Sequence, residues 1–113
     1  MNIGRVTLGS IPRIVAILHD RISLRLLKNL SKEGADIVEV RIDFFRSTEI
    51  EYILNVLKKI KLTSHLPIIG TIRRPEDGGK KSIDDRQRRD LFKAIIPLVD
   101  CVDAEVDSPS QMK

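Results

Sequence analysis

Tryptophan is absent from the 113 residues, and Phe44, Phe45, Phe92 and Tyr52 are the only aromatics. No aromatics are interleaved with the basic residues, so a base-stacking surface of the single-strand binding kind has no platform. The single Cys101 cannot form an internal disulfide, which suits a reducing compartment. The longest apolar runs, such as Ile14–Leu18, fall far short of the roughly 20 residues that cross a bilayer. The first residues lack the basic-then-apolar order of a secretion signal, so a cytoplasmic protein with no membrane partner is expected.

What is present reads as a single globular domain over residues 1–113, 42% hydrophobic and 32% charged. The net charge of +4 invites a nucleic-acid reading. Its densest stretch, 73–93, nevertheless mixes eight Lys/Arg with five Asp/Glu, an ordinary balance for a solvated loop and helix. No nucleic-acid partner is expected.

Hydrophobic spacing orders the chain. Arg13–Asp20 reads as a buried strand, Ala35–Asp43 as a second, Pro67–Arg73 as a third and Cys101–Asp107 as a fourth. Ser23 is placed to cap a helix carrying Leu24, Leu27 and Leu30 on one face, with Gly34 as its stop. Ser47 or Thr48 opens the next helix, whose Ile50, Ile53, Leu54, Leu57 and Ile60 form an apolar stripe. Ser82 and Asp85 have capping-box spacing before a third helix using Leu91, Ile95 and Leu98 with Phe92 and Ile96. Pro97 is expected to distort or end that helix. Residues 1–12 form an N-terminal arm, a short strand or hairpin. The order β-α-β-α-β-α-β implies parallel strands joined by crossover helices.

Period-two alternation sorts the strand residues into two faces. One face of each strand is apolar: Val38, Val40 and Ile42; Ile68, Gly70 and Ile72; Val102, Ala104 and Val106. The other collects ionisable groups: Glu39, Arg41 and Asp43 beside Ile37; Thr71 and Arg73 beside Ile69; Asp103, Glu105 and Asp107 beside Cys101. Parallel sheets bury both faces, and in a parallel barrel the second face points inward, where charges must pair or serve chemistry. Structural ion pairs lining a barrel and a small-molecule site both account for this ladder. Either way Arg41 and Arg73 should pair with the neighbouring acids.

These residues resemble a known family. Ala35–Asp43 is similar to the E-x-R-x-D strand of type I 3-dehydroquinate dehydratase, and Gly70-Thr71-Ile72-Arg73 to its T-x-R strand. Asp77-Gly78-Gly79 resembles its E-G-G loop, with Asp in place of Glu, and Val102–Val106 its V-D-x-E strand. Residues 6–15 resemble its arm entering strand one. The resemblance implies an α/β (βα)8 TIM barrel that dehydrates 3-dehydroquinate in the shikimate pathway, without a metal or cofactor. Chemistry there uses a lysine Schiff base and a histidine proton shuttle. Carried over residue by residue, Glu39, Arg41, Arg73 and Asp77 fall on substrate-binding positions. The implied lysine and histidine belong to strands five and six, whereas this sequence supplies four strands. Lys80 and Lys81 read as solvated loop charges.

A full barrel of this type takes about 250 residues, and about 200 at the least. The expectation is therefore half of a barrel, completed by a homodimer through the strand edges. A twofold axis would place strand one at position five, bringing His19 near the histidine position. It would also put Glu39 where the lysine belongs, so no catalytic residue is assigned and ordinary dehydratase activity is not expected. The first half of a split or shortened dehydratase, and a non-enzymatic module binding a polyol acid or small anion, are the alternative readings.

Overall fold

The β-branched runs of the sequence become four parallel neighbours, and the amphipathic stretches between them become helices packed over one side. The computed structural model describes residues 2–4, 6–7, 13–73 and 83–103. Strand β1 (Asn2–Ile3) pairs antiparallel with β2 (Val6–Thr7), and Gly4 supplies the positive φ of 56° between them. The main chain then runs through β3 (Val15–Leu18), α1 (Leu24–Asn29), β4 (Ile37–Arg41), α2 (Ile50–Ser64), β5 (Ile68–Thr71), α3 (Asp85–Ile95) and β6 (Cys101–Asp103). The sheet order is β3-β4-β5-β6, all parallel, with Ile17 opposite Glu39, Glu39 opposite Ile69, and Thr71 opposite Asp103. The expected β-α-β-α-β-α-β order and the N-terminal hairpin are both present.

The first three strands are shorter than their apolar runs suggested, and at the entries of β3 and β5 side-chain carboxylates take backbone N–H groups. The Asp36 carboxylate accepts from Ile14 N–H at 2.9 Å, and Asp100 accepts from Ile68 N–H at 2.9 Å. At the exit of β4 the chain tightens into a 3-10 turn over Ile42–Phe44, so Asp43 follows the strand instead of ending it. Of the fourth predicted strand, Glu105 and Asp107 lie outside the described residues, as do Asp77, Gly78, Gly79, Lys80, Lys81 and Ser82.

Ser23 caps α1 as expected, its Oγ accepting from Leu26 N–H at 3.2 Å. The helix is only six residues long, so it buries Leu27 and leaves Leu24 50% exposed, against the expected face. The cap expected at Ser47 or Thr48 takes another form: Ser47 Oγ accepts from Glu49 N–H at 3.1 Å, and the helix starts after Glu49. Ile53, Leu57 and Ile60 of its stripe are fully buried, whereas Ile50, in the first turn, is exposed. Asp84 caps α3, accepting from Gln87 N–H at 2.7 Å. Pro97 ends that helix in a 3-10 turn, which leaves Ile96 57% exposed where packing was expected.

The core lies between the sheet and its helices: Val38, Val40, Ile42, Ile68 and Ile72 meet Leu27, Ile53, Leu57, Ile60, Leu91 and Ile95. Each such side chain contributes about 1.5–3 kcal/mol of burial. On the opposite face the hairpin's Ile3 and Val6 cover Ile37 at the N-terminal end, with Ile69 and Cys101 alongside. The C-terminal end of that face is left to polar side chains.

Candidate functional site

Strand alternation delivers Glu39 and Arg41 from β4, Thr71 from β5 and Asp103 from β6 to the inner face, and Arg73 follows two residues after Thr71. Thr71 Oγ1 donates to Glu39 Oε2 at 2.6 Å, which fixes the carboxylate across two strands. Arg41 reaches Asp43 through two bonds, Nε to Oδ1 at 3.0 Å and Nη2 to Oδ2 at 2.7 Å. The same guanidinium lies over the Phe44 ring, 4.3 Å from its centroid. Arg73 pairs with Asp103 at 2.9 Å. Both expected ion pairs of the ladder therefore form. The hydrogen bond to Asp43 raises the Arg41 pKa above its ordinary value; burial opposes it, and the charges of Asp43, Glu39 and Asp103 add to the rise.

An open cavity of about 400 Å³ runs along this face, lined by Val15, Ile17, Glu39, Ile69, Cys101 and Asp103 with Val102. It is apolar towards β3 and carries carboxylates towards β6. Thus the structure brings Glu39, Arg41 and Arg73 to one end of one face. Asp77 lies outside the described residues.

His19 follows β3 and borders a separate groove of about 370 Å³ with Leu18, Arg21, Ile22 and Leu26. Its Nδ1 accepts from Arg21 N–H at 3.0 Å, so the neutral ring carries its proton on Nε2. Every lysine among the described residues is exposed and lies on α1, the turn after it, α2 or α3, on the helical side of the sheet.

Sequence reasoning missed two buried charges. Asp20, at the end of β3, accepts from Arg46 N–H at 3.0 Å, from Arg46 Nε at 3.3 Å and from the Tyr52 hydroxyl. It ties the end of β3 to the start of α2. Burial works to raise its pKa, but the hydrogen bonds from Arg46 and Tyr52 outweigh that and hold it below the usual carboxylate value. Arg88, in α3, is fully buried and donates from Nε and Nη2 to the Ile72 carbonyl at 3.1 and 2.7 Å. A signal for it was available: positions 88, 91, 92 and 95 form a single helical stripe, and an arginine on an apolar stripe must find a buried acceptor.

Among the described residues, no group of three or more His, Cys, Asp or Glu side chains is arranged to hold a metal ion. None of the described helices is long and apolar enough to cross a membrane. Chemically the ladder offers guanidinium donors and carboxylate and hydroxyl acceptors, the set that hydrogen-bonds a small hydroxylated acid.

Comparison with known proteins agrees with this geometry. The family model described as type I 3-dehydroquinase matches residues 15–113. The chain is 38% identical over 101 residues to the 3-dehydroquinate dehydratase of Thermodesulfovibrio yellowstonii, covering 89% of this chain and 42% of the relative. It is 33% identical over 113 residues to that of Methanococcoides burtonii, covering all of this chain and 48% of the relative. Among solved structures, the Aquifex aeolicus 3-dehydroquinate dehydratase superposes with a TM-score of 0.72 at 36% identity, covering 86% of this chain and 42% of that one. The Geobacillus kaustophilus enzyme gives 0.80 at 28% identity, covering 92% and 44%. The chain thus spans somewhat under half the length of the relatives it matches.

Proposed function

The chain belongs to the type I 3-dehydroquinase family, and from that premise we propose that residues 1–113 form one half-barrel domain, the substrate-recognition side of a dehydroquinase-like site. Glu39, Arg41 and Arg73, with Asp77 from the following loop, would hold the hydroxyl and carboxylate groups of a ligand resembling 3-dehydroquinate. The observation that carries this reading is the inner-face ladder itself: Glu39–Thr71, Arg41–Asp43 and Arg73–Asp103 hold charged groups on one face, with Glu39 and Asp103 lining an open cavity.

Lysine amines among the described residues stay on the helical side, and with Lys80 and Lys81 read as solvated loop charges the proposed site binds without forming an iminium. Ordinary dehydratase turnover is then absent from the chain alone, and no cofactor is required. His19, beyond β3, is a candidate for acid–base work in a composite barrel. Closure needs four more strands. A second copy supplies them when each β6 edge meets the other chain's β3 edge in a soluble, cytoplasmic homodimer.

An assay with 3-dehydroquinate, borohydride trapping and titration with quinate test the reading together. The expected result is quinate binding with neither turnover nor a reduced adduct. Robust turnover or a trapped adduct overturns it. A second reading, the first half of a split or shortened dehydratase, is favoured by the 42–48% coverage of the relatives. Under that reading, adding the remainder of a relative's barrel restores turnover.

A further inference from the structure

Ladder pairing of β5 ends at Thr71, opposite Asp103 and Arg41, yet the next peptide unit is held at both ends. The Ile72 carbonyl accepts from Arg88 Nε and Nη2 at 3.1 and 2.7 Å. The Arg73 N–H of the same unit donates to Asp43 Oδ1 at 3.3 Å. Because a peptide unit is planar, gripping its oxygen and its N–H restrains the plane, and with it the position of the Arg73 Cα from which the side chain leaves the backbone. Asp43 also receives both bonds from Arg41. One buried carboxylate therefore joins the side chain of one ladder arginine to the backbone of the other.

Both gripping side chains are fully buried. Burying a charge is costly, and an apolar residue at position 88 would extend the stripe of Leu91, Phe92 and Ile95 without that cost. Arg88 instead spends two donors on a single carbonyl, with Asp85 3.9 Å away and the Phe92 ring 5.5 Å from its guanidinium carbon. We propose that Arg88 and Asp43 are positioning residues: together they clamp the Ile72–Arg73 peptide, aim Arg73 into the inner face and couple it to Arg41. The consequence for ligand affinity rests on the substrate-recognition reading above; the clamp itself does not.

The test compares Arg88→Met, Arg88→Lys and Asp43→Asn in the full chain. Amide hydrogen exchange is followed by NMR at Arg73 and, as internal controls, at Val40 and Gly70, with quinate titration alongside. Arg88→Met should raise exchange at Arg73 by about tenfold while leaving Val40 and Gly70 protected. Quinate affinity should fall by about tenfold, the loss of one hydrogen-bonding arrangement at a charged group. Arg88→Lys, which restores a donor, should recover part of the protection and part of the affinity, and Asp43→Asn should raise exchange at Arg73 and lower quinate affinity.

A folded Arg88→Met with wild-type exchange at Arg73 and wild-type quinate affinity overturns the proposal. If Arg88→Met does not fold, Asp43→Asn decides, and unaltered exchange and affinity there overturn it equally. If the wild-type chain binds no quinate, the recognition reading fails and exchange at Arg73 alone judges the clamp: increased exchange in the variants supports it, unchanged exchange refutes it.

Discussion

On the outer side of the sheet Val38, Val40, Ile42, Ile68 and Ile72 are sealed beneath three helices. On the inner side Val15 and Ile17 stand exposed, Ile17 by 62%, beside half-buried Glu39 and Arg41. The same strands build both faces, so the contrast is one of partners and not of backbone. The outer face finds its cover within the chain, whereas the inner face is covered by Ile3 and Val6 at one end and is open at the other. Stability should therefore reside on the outer face, with recognition and association on the inner one.

The most damaging way to break that contrast is to empty the sealed side. Leu57 is fully buried at the middle of α2, and Leu57→Ala should cost about 2–5 kcal/mol of unfolding free energy. That is a large part of the roughly 5–15 kcal/mol available to a domain. Urea denaturation followed by circular dichroism measures it, and a loss below about 1 kcal/mol would mean that the helical side is not the main support.

Asp20 sits at the seam between the two sides, and its effect depends on pH. Its pKa is lowered in the folded chain, so its contribution is complete above the ordinary carboxylate range and disappears as pH falls through the lowered folded value. Asp20→Asn should cost about 1.5–3 kcal/mol near pH 7, where charged hydrogen bonds to Arg46 and Tyr52 are lost. The variant should also lose less stability on acidification than the wild type. Denaturation midpoints at pH 7 and at about pH 3 check both expectations, and parallel pH profiles would remove Asp20 as the cause.

Gly70 probes how closely the outer side is packed. A Cβ there would lie 2.7 Å from Ile95 Cδ1 and 3.4 Å from Val99 Cγ1, so the Ile95 side chain of α3 packs into space that position 70 leaves without a side chain. Gly70→Ala should cost about 1–3 kcal/mol through overpacking, read from the thermal midpoint. A neutral result would show that Ile95 can turn aside.

Element order was legible in the sequence because alternation in the strands and the stripe of α2 are strong periodic signals. The grouping of Glu39, Arg41 and Arg73 was legible for the same reason: period two leaves them no other face. Boundaries were less so. Asp36 and Asp100 cap strand entries from distant positions, and Asp43 belongs to a turn that apolar spacing cannot reveal. Asp20 was hidden because its partners, Arg46 and Tyr52, come from other elements. Leu24 and Ile96 were misjudged because a six-residue helix and a proline-ended one present fewer buried positions than their apolar content suggests.

The smallest expected change in chain stability belongs to Ile17→Lys, and it sharpens the contrast most. Ile17 lies on the edge strand β3, exposed to the inner cavity. Removing it from a single chain empties no packed core, so unfolding free energy should shift by no more than about 0.5 kcal/mol at concentrations where the wild type is monomeric. Association should respond quite differently, because a lysine on an exposed edge opposes strand pairing and cannot be buried unpaired inside a closed barrel. Light scattering at high concentration should find the wild type at twice the chain mass and Ile17→Lys at once the chain mass. A variant that stays dimeric would place the interface away from β3. One that unfolds at low concentration would show that the inner face supports the single chain as much as the outer face does.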